Sequence, residues 1–172
     1  MSGTWIHTMD SRGLTPLDRA FEGNHKVVAD IMMRYEKASP TTGAKGVASM
    51  HRAATMGLTE AVSSLLSFGA NPNSKDDLGE TPLHKAVREG HIETVKLLLD
   101  VSDANDANSE GMTPLHWACL AGDQSMVALL VQHGADPGLR NEYLDGMTPA
   151  ELAKMMGYDD LEDALAGRIT VF

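Results

Sequence analysis

Histidine and cysteine side chains are the first candidates for chemistry in this chain. His51, His84 and His116 are separated by 33 and 32 residues, and Cys119 follows the last of them by three. Three histidines can hold a catalytic zinc ion, and a histidine and a cysteine on one helix can supply two zinc ligands. Cys119 is the only cysteine, and no second ligand pair at a suitable spacing completes a site around it. Whether the histidines meet depends on the elements that carry them.

A calcium site is the second candidate. The segment Asp106–Gly111 copies the first half of an EF-hand loop, including the glycine at its sixth place. The twelfth place should hold a glutamate that binds through both oxygens, but it is Trp117. Thr113 and Pro114 also open a helix inside the would-be loop. The sequence therefore favours a turn over a calcium site.

The elements that carry these side chains belong to a repeat. The pattern Gly-x-Thr-Pro-Leu-His-x-Ala occurs at 79–86 and at 111–118, and partial copies flank both. Five units start, at intervals of 33, 33, 32 and 35 residues, with Gly13, Gly46, Gly79, Gly111 and Gly146. Each unit later reaches a helix-ending position, which holds Asn24, Gly57, Gly90, Gly122 or Gly157. This period predicts an array of similar units.

Each unit carries the signals of two helices. Thr81 and Thr113 can cap a helix, and each is followed by proline at the first helical position. Thr148 with Glu151 predicts a capping box in the fifth unit. The second unit lacks Thr-Pro, so we expect a less sharply defined helix start there. A second helix with one apolar side is predicted in the third unit by Ile92, Val95, Leu98 and Leu99.

The period and the two near-complete Thr-Pro-Leu-His-x-Ala signatures resemble the ankyrin repeat family. The resemblance implies an α-rich repeat solenoid that forms a single domain over 1–172. Five helix-turn-helix units would stack, joined by β-hairpins or turns, at about 10–42, 43–75, 76–107, 108–142 and 143–167, with a tail at 168–172. Equivalent histidines of stacked units would then lie about 8 to 10 Å apart, too far to share one ion. In the family such histidines join adjacent turns by hydrogen bonds.

Composition limits the partners and the compartment. The net charge of −10 argues against nucleic acid, because binding to phosphates starts from clustered basic residues. No apolar run reaches membrane-spanning length, and the first ten residues lack the features of a signal peptide. A single cysteine forms no internal disulfide. We expect a monomer in a reducing compartment, either cytoplasm or nucleus, without a membrane or nucleic-acid partner.

Candidate contact residues follow from the resemblance, which implies that ligands meet the concave side of the solenoid. That side is formed by the turns and the first helix of each unit. The candidates for partner binding are Asp77, Leu78, Glu80, Arg88, Glu110, Met112, Trp117, Leu120, Leu144, Met147 and Met155. The apolar members predict a groove in the fourth and fifth units for an apolar peptide or helix. Basic residues flanking that peptide would meet Asp77, Glu80 and Glu110. Packing of Met147 and Met155 on the last helix is an equal alternative.

The sequence therefore predicts a non-catalytic adaptor or scaffold that binds a partner protein. A stoichiometric inhibitor of a kinase or transcription factor is the alternative, and a metal-binding protein or enzyme is a remote one. No nucleophile elbow, phosphate-binding glycine loop or dinucleotide motif is present, so we expect neither enzyme activity nor a cofactor.

Two further segments leave alternatives open. The last residues, 170–172, resemble a C-terminal ligand of PDZ domains, although packing against the last unit is favoured. Asn73 and Asn105 have a spacing similar to that of ankyrin-repeat asparagines that become hydroxylated, although turn stabilisation is favoured for both.

Overall fold

The computed structural model describes residues 10–12, 14–23, 25, 27–28, 31–32, 45–142 and 146–165. The elements whose bounds fall within these residues are nine α-helices and one short 3-10 helix, Asp159–Leu161. The α-helices are α1 Pro16–Glu22, α2 Lys45–Thr55, α3 Thr59–Ser67, α4 Pro82–Arg88, α5 Ile92–Leu99, α6 Pro114–Ala121, α7 Gln124–Gln132, α8 Pro149–Met155 and α9 Glu162–Leu165. Residues 27–28 and 31–32 are helical as well.

Helix starts follow the Thr-Pro signature. Thr81, Thr113 and Thr148 have extended backbones, and each side chain accepts a hydrogen bond from the backbone N–H three residues later. The predicted capping box of Thr148 and Glu151 is confirmed. Without Thr-Pro, α2 begins at Lys45, four residues before the position equivalent to Pro82. The local signal thus sets where each first helix begins.

Helix ends follow the glycines. Gly57, Gly90, Gly122 and Gly157 have φ angles between 66° and 82°, the left-handed region expected of them. Two of them lie beneath a ring of the next unit: a Cβ on Gly57 would come within 2.6 Å of His91, and one on Gly122 within 2.8 Å of Tyr158. Glycine therefore serves both the backbone turn and the close approach of units. Asn24, predicted to end the first helix of the first unit, and Gly13, predicted to start that unit, lie outside the described residues.

The units stack as two layers of helices. The first helices of the units, α1, α2, α4, α6 and α8, pack in order, and the second helices α3, α5, α7 and α9 do the same. Their apolar sides form one core, in which Met50, Leu83, Leu98, Leu115 and Leu130 are fully buried. The predicted α solenoid is thereby confirmed, with buried stripes shared between neighbouring units.

The connections between units are turns. Within the described ranges no residue is in a β-strand, so the hairpin alternative is not realised there. No helix in this part of the chain is long and apolar enough to cross a membrane. The turns project beside the first helices, and the two together form the surface described next.

Candidate protein-binding surface

Three inter-unit turns share one geometry. Asp10, Asp76 and Asn108 each lie three residues before a unit's glycine and accept backbone N–H bonds at 2.8 to 3.0 Å from residues two and four positions later. Successive turns are also joined, because Ser109 N donates to Leu78 O and the N–H of residue 142 donates to Glu110 O, both at 3.0 Å. The turns therefore form a continuous row along the solenoid.

Buried histidines fasten this row to the first helices. Thr81 N donates to Nδ1 of His84 at 3.1 Å, so that nitrogen is unprotonated and Nε2 donates to Met112 O at 3.0 Å. His116 repeats the arrangement with Thr113 N and with Met147 O, at 3.1 and 3.2 Å. Each histidine thus links two units.

The environment keeps both histidines neutral. Burial lowers the pKa of His84 and of His116 below the usual value, and hydrogen bonds to the backbone offset only part of this effect. His51 makes the same kind of link, with Nε2 and Glu80 O 2.7 Å apart. The predicted structural role of the three histidines is confirmed.

An ion-pair cluster lies where the turn of the third unit meets the first helix of that unit, α4. Glu80 is 2 % exposed and contacts both Lys85 and Arg88, the latter at 3.0 Å. Lys85 also lies 2.7 Å from Asp76. Burial alone would lower the pKa of Lys85, but its hydrogen bonds to the two carboxylates raise it. The cluster satisfies its charges internally.

The corresponding positions of the fourth unit are apolar. Counted from each unit's glycine, Glu80, Lys85 and Arg88 are matched by Met112, Trp117 and Leu120. The two sets meet where the guanidinium of Arg88 lies 5.7 Å from the centre of the Trp117 ring, a cation–π distance. The charged cluster therefore borders the apolar region directly.

The apolar region continues into the fifth unit. Met155 and Met156 are 54 % and 45 % exposed at the end of α8. Met155 and Leu120 are both nine residues after their unit's glycine, on helices α8 and α6, which pack together. Leu120, Trp117 and Met147 are half-buried. We call Trp117, Leu120, Met147, Met155 and Met156 the apolar face.

Two of the predicted contact residues are placed differently from the expectation. Met112 and Glu80 are each 2 % exposed, so their side chains present almost no surface in this structure, and contact of a partner with them stays a prediction. The backbone of the residue after the starting glycine is fixed between the turn and a histidine: Met112 O accepts from Asn108 N and from His84 Nε2.

The remaining predicted residues stay candidates. Asp77, Leu78, Arg88, Glu110 and Met155 are exposed. Trp117, Leu120 and Met147 are half-buried. Leu144 lies outside the described residues, as does the tail at 170–172. Binding by the accessible residues stays a prediction. The backbone carbonyl of Met147 accepts bonds from residue 141 and from His116, and packing of its side chain on the last helix stays an alternative.

The candidate zinc and calcium residues have other roles. Burial raises the pKa of Cys119 to about 12, so the thiol is neither a thiolate ligand nor a nucleophile near neutral pH. Asp106 pairs with Lys75 at 3.3 Å, and Asn108 closes its turn. Across the described ranges, no group of three or more His, Cys, Asp or Glu side chains could hold a metal ion. The turn interpretation of 106–111 is confirmed.

Asn105 stabilises a turn, as favoured from sequence. Its amide donates to Gly134 O at 3.0 Å, and its oxygen accepts from Asp136 N at 2.8 Å. It therefore bridges two consecutive inter-unit loops. Asn73 is exposed, and the favoured turn role for that residue stays a prediction.

Sequence reasoning missed the turn-closing residues as a set. Asp10, Asp76 and Asn108 share a position and a residue class, and Asp or Asn three places before the glycines of the first, third and fourth units is a readable signal for such a turn. It also missed the buried cluster of Lys85 with Asp76 and Glu80, for which no local signal exists.

Comparison with known proteins agrees with this architecture. A family model described as ankyrin repeats (3 copies) matches residues 50–141. The human ankyrin repeat domain-containing protein 63 is 35% identical over 106 residues, covering 60% of this chain. The human ARF GTPase-activating protein GIT1 is 38% identical over 109 residues, covering 59% of this chain. The human transient receptor potential cation channel subfamily A member 1 is 37% identical over 117 residues, covering 66%.

These relatives are much longer than the matching segment. The chain spans 28% of the first of them, 14% of the second and 10% of the third. The names of the second and third relatives state different activities, a GTPase-activating protein and a cation channel.

Proposed function

Because the chain belongs to the ankyrin repeat family, we propose that it is a non-catalytic protein-binding module that holds a partner on its apolar face. Ankyrin repeats generally mediate protein–protein interaction. The proposal rests on one observation: positions at the same distance from their unit's glycine are charged in the third unit and apolar in the fourth and fifth units. In the third unit the charged side chains pair with one another, whereas in the fourth and fifth units Trp117, Leu120, Met155 and Met156 have partly or largely exposed apolar surface.

Exposed methionines suit such a contact. Met155 and Met156 add flexible apolar surface beside the half-buried Trp117 and Leu120. Methionine adapts its shape to irregular partners, and aromatic residues contribute strongly to binding energy. An apolar segment of a partner protein, laid across α6 and α8, would remove this surface from water.

The proposal favours an adaptor over an inhibitor. The matching segments of the relatives are small parts of proteins named as a GTPase-activating protein and as a cation channel. A module that recurs beside unrelated activities suits a role in bringing proteins together. An inhibitor would instead lower the activity of an isolated partner enzyme in a one-to-one complex, and a titration of that enzyme distinguishes the two roles. A monomeric state and residence in cytoplasm or nucleus accompany the adaptor proposal.

Affinity capture with paired variants tests the contact surface. Leu120→Ser with Met155→Ser should lower the yield of the main captured proteins at least about tenfold, since burying each such side chain contributes about 1.5 to 3 kcal/mol. Met56→Ser with Val101→Ser is the matched control, because these residues are 38 % and 47 % exposed elsewhere on the array. Circular dichroism checks that both variants keep the wild-type helical content.

The yields captured by the two variants distinguish the two outcomes. Capture that is lost in the first variant and kept in the control supports the apolar face. Equal capture by wild type and by the Leu120/Met155 variant would overturn the proposal.

A further inference from the structure

We propose that the segment held on the apolar face is basic, with Lys or Arg side chains that reach the row of turns beside it. This inference rests on the proposed function and specifies the chemistry of the partner. It follows from where the charges lie in the chain and from which of them are already paired.

The charge is concentrated in the half of the chain that carries the apolar face. Residues 76–165 contain 18 acidic and 5 basic residues, a net charge of −13, whereas residues 1–75 contain 6 acidic and 8 basic residues, a net charge of +2. A field of this sign favours approach of a basic partner and disfavours an acidic one.

Most of the basic residues in this half are already paired. Lys85 and Arg88 face Glu80, Lys96 lies 3.4 Å from Glu93, and Arg140 lies 3.2 Å from Glu151. The surplus acidic groups are thus left for the solvent or for a partner.

Three of these acidic groups lie on consecutive turns. Asp77, Glu110 and Glu142 are exposed, and none of them forms an ion pair within the described part of the chain. The backbone bond between residues 142 and 110 places two of the carboxylates on adjacent turns. Asp77 is next to Leu78, whose carbonyl accepts from the turn of the fourth unit. We call Asp77, Glu110 and Glu142 the acidic row.

The acidic row runs alongside the first helices. A residue that precedes a first helix reaches that helix in two places, where Glu80 meets Arg88 of α4 and where Arg140 meets Glu151 of α8. A segment that crosses α6 and α8 on its apolar side would therefore present its flank to the acidic row. Lysine or arginine on that flank would complete the contact.

Selection from a random peptide library tests this chemistry without a known partner. The wild-type chain is the target, and peptides that also bind the Leu120→Ser/Met155→Ser variant are removed. We expect the enriched peptides to combine apolar residues with several Lys or Arg. A chosen peptide is then synthesised and its Kd is measured with wild type and with Asp77→Asn/Glu110→Gln/Glu142→Gln.

The amide variant should weaken binding about tenfold, because each exposed ion pair contributes modestly and three are lost together. It should also flatten the dependence of Kd on salt, which screens exposed charges. Asp103→Asn/Asp136→Asn, at exposed sites outside the acidic row, is the control and should leave Kd within about twofold.

Each result has one meaning. Enriched peptides that are apolar without basic residues, or an unchanged Kd in the amide variant, would overturn the basic partner and leave the apolar face standing. Failure to enrich any peptide that distinguishes wild type from the Leu120/Met155 variant would overturn the proposed function itself.

Discussion

The third unit and the fourth unit use one backbone for opposite surface chemistry. Both begin with a Thr-capped helix with Pro at its first position, and both place a neutral histidine between two units. In the third unit Glu80 forms ion pairs with Lys85 and Arg88. The positions that match Lys85 and Arg88 in the fourth unit are held by Trp117 and Leu120.

This difference separates the residues that build the array from those free to vary. Thr, Pro, His and the left-handed glycines recur because capping, helix entry, unit linkage and helix exit require them. The positions of Glu80, Lys85 and Arg88 hold different residue types in the fourth unit, although both units form the same Thr-capped first helix. They can therefore change from an ion-pair cluster to an apolar face without changing the fold.

Opening the charged cluster should have the largest effect on stability. Glu80→Gln leaves the mostly buried ammonium of Lys85 with only Asp76, and leaves Arg88 with only the more distant carboxylate of Glu89 at 3.6 Å. We expect a loss of about 3 kcal/mol in the free energy of unfolding, because breaking a buried ion pair leaves an uncompensated charge. Urea denaturation of the purified variant measures it.

The matched control converts the third unit toward the fourth. Glu80→Met with Lys85→Met removes both charges, so it should cost less than Glu80→Gln alone. The loss in the free energy of unfolding is compared with the sum of the losses in Glu80→Met and Lys85→Met alone. A double variant that loses as much as this sum would show that the two charges do not stabilise each other.

Two helix-ending glycines give the next contrast. Gly90 and Gly122 have φ angles of 75° and 70°, so alanine at either should cost about 1 to 2 kcal/mol for the left-handed backbone. A Cβ on Gly122 would also lie 2.8 Å from the Tyr158 ring, whereas one on Gly90 meets nothing within 4 Å. Gly122→Ala should therefore destabilise more than Gly90→Ala.

Thermal denaturation of the two variants measures the contrast. In a Tyr158→Ala background the extra cost of Gly122→Ala should disappear, since the clash partner is gone. Equal losses for the two glycines in the wild-type background would contradict the stacking of units at this point.

The free energy of unfolding should depend on pH through His84 of the third unit and His116 of the fourth. This effect should be smaller than those of the Glu80 and glycine substitutions. The pKa values of His84 and His116 are lowered in the folded chain, so the unfolded chain binds protons first as the pH falls. Their contribution to stability is complete above the usual histidine pKa of about 6.5. It is lost as the pH falls from there toward the lowered values.

Protonation of carboxylates changes the stability only at lower pH, because the pKa values of Asp10, Asp76 and Glu151 are lowered from values that are already acidic. Denaturation between pH 7 and pH 5 therefore reports mainly on histidine. His84→Gln with His116→Gln should be less stable at pH 7 by about 1 to 3 kcal/mol through lost hydrogen bonds, but with a flatter pH dependence. An unchanged slope would mean that these two rings do not carry the effect.

The sequence predicts the repeat well because its signals are local. Thr148 with Glu151, or Gly122 at a helix end, acts on the backbone within a few residues, so spacing alone reveals it. Burial of Met112 depends instead on a turn and on a histidine of the neighbouring unit, contacts that no local pattern contains. Glu80 is predicted at the surface because carboxylates are rarely buried, and its pairing with Lys85 and Arg88 of the same unit forms only when the turn folds against α4.

Amide hydrogen exchange, measured on the chain alone and saturated with a peptide enriched by the selection, tests the account most directly. The account predicts slower exchange at the ends of α6 and α8 and in the turns that carry Glu110 and Glu142, with α3 and α5 unchanged. Protection confined to α3 and α5, with α6 and α8 unaffected, would contradict the assignment of the apolar face as the contact surface.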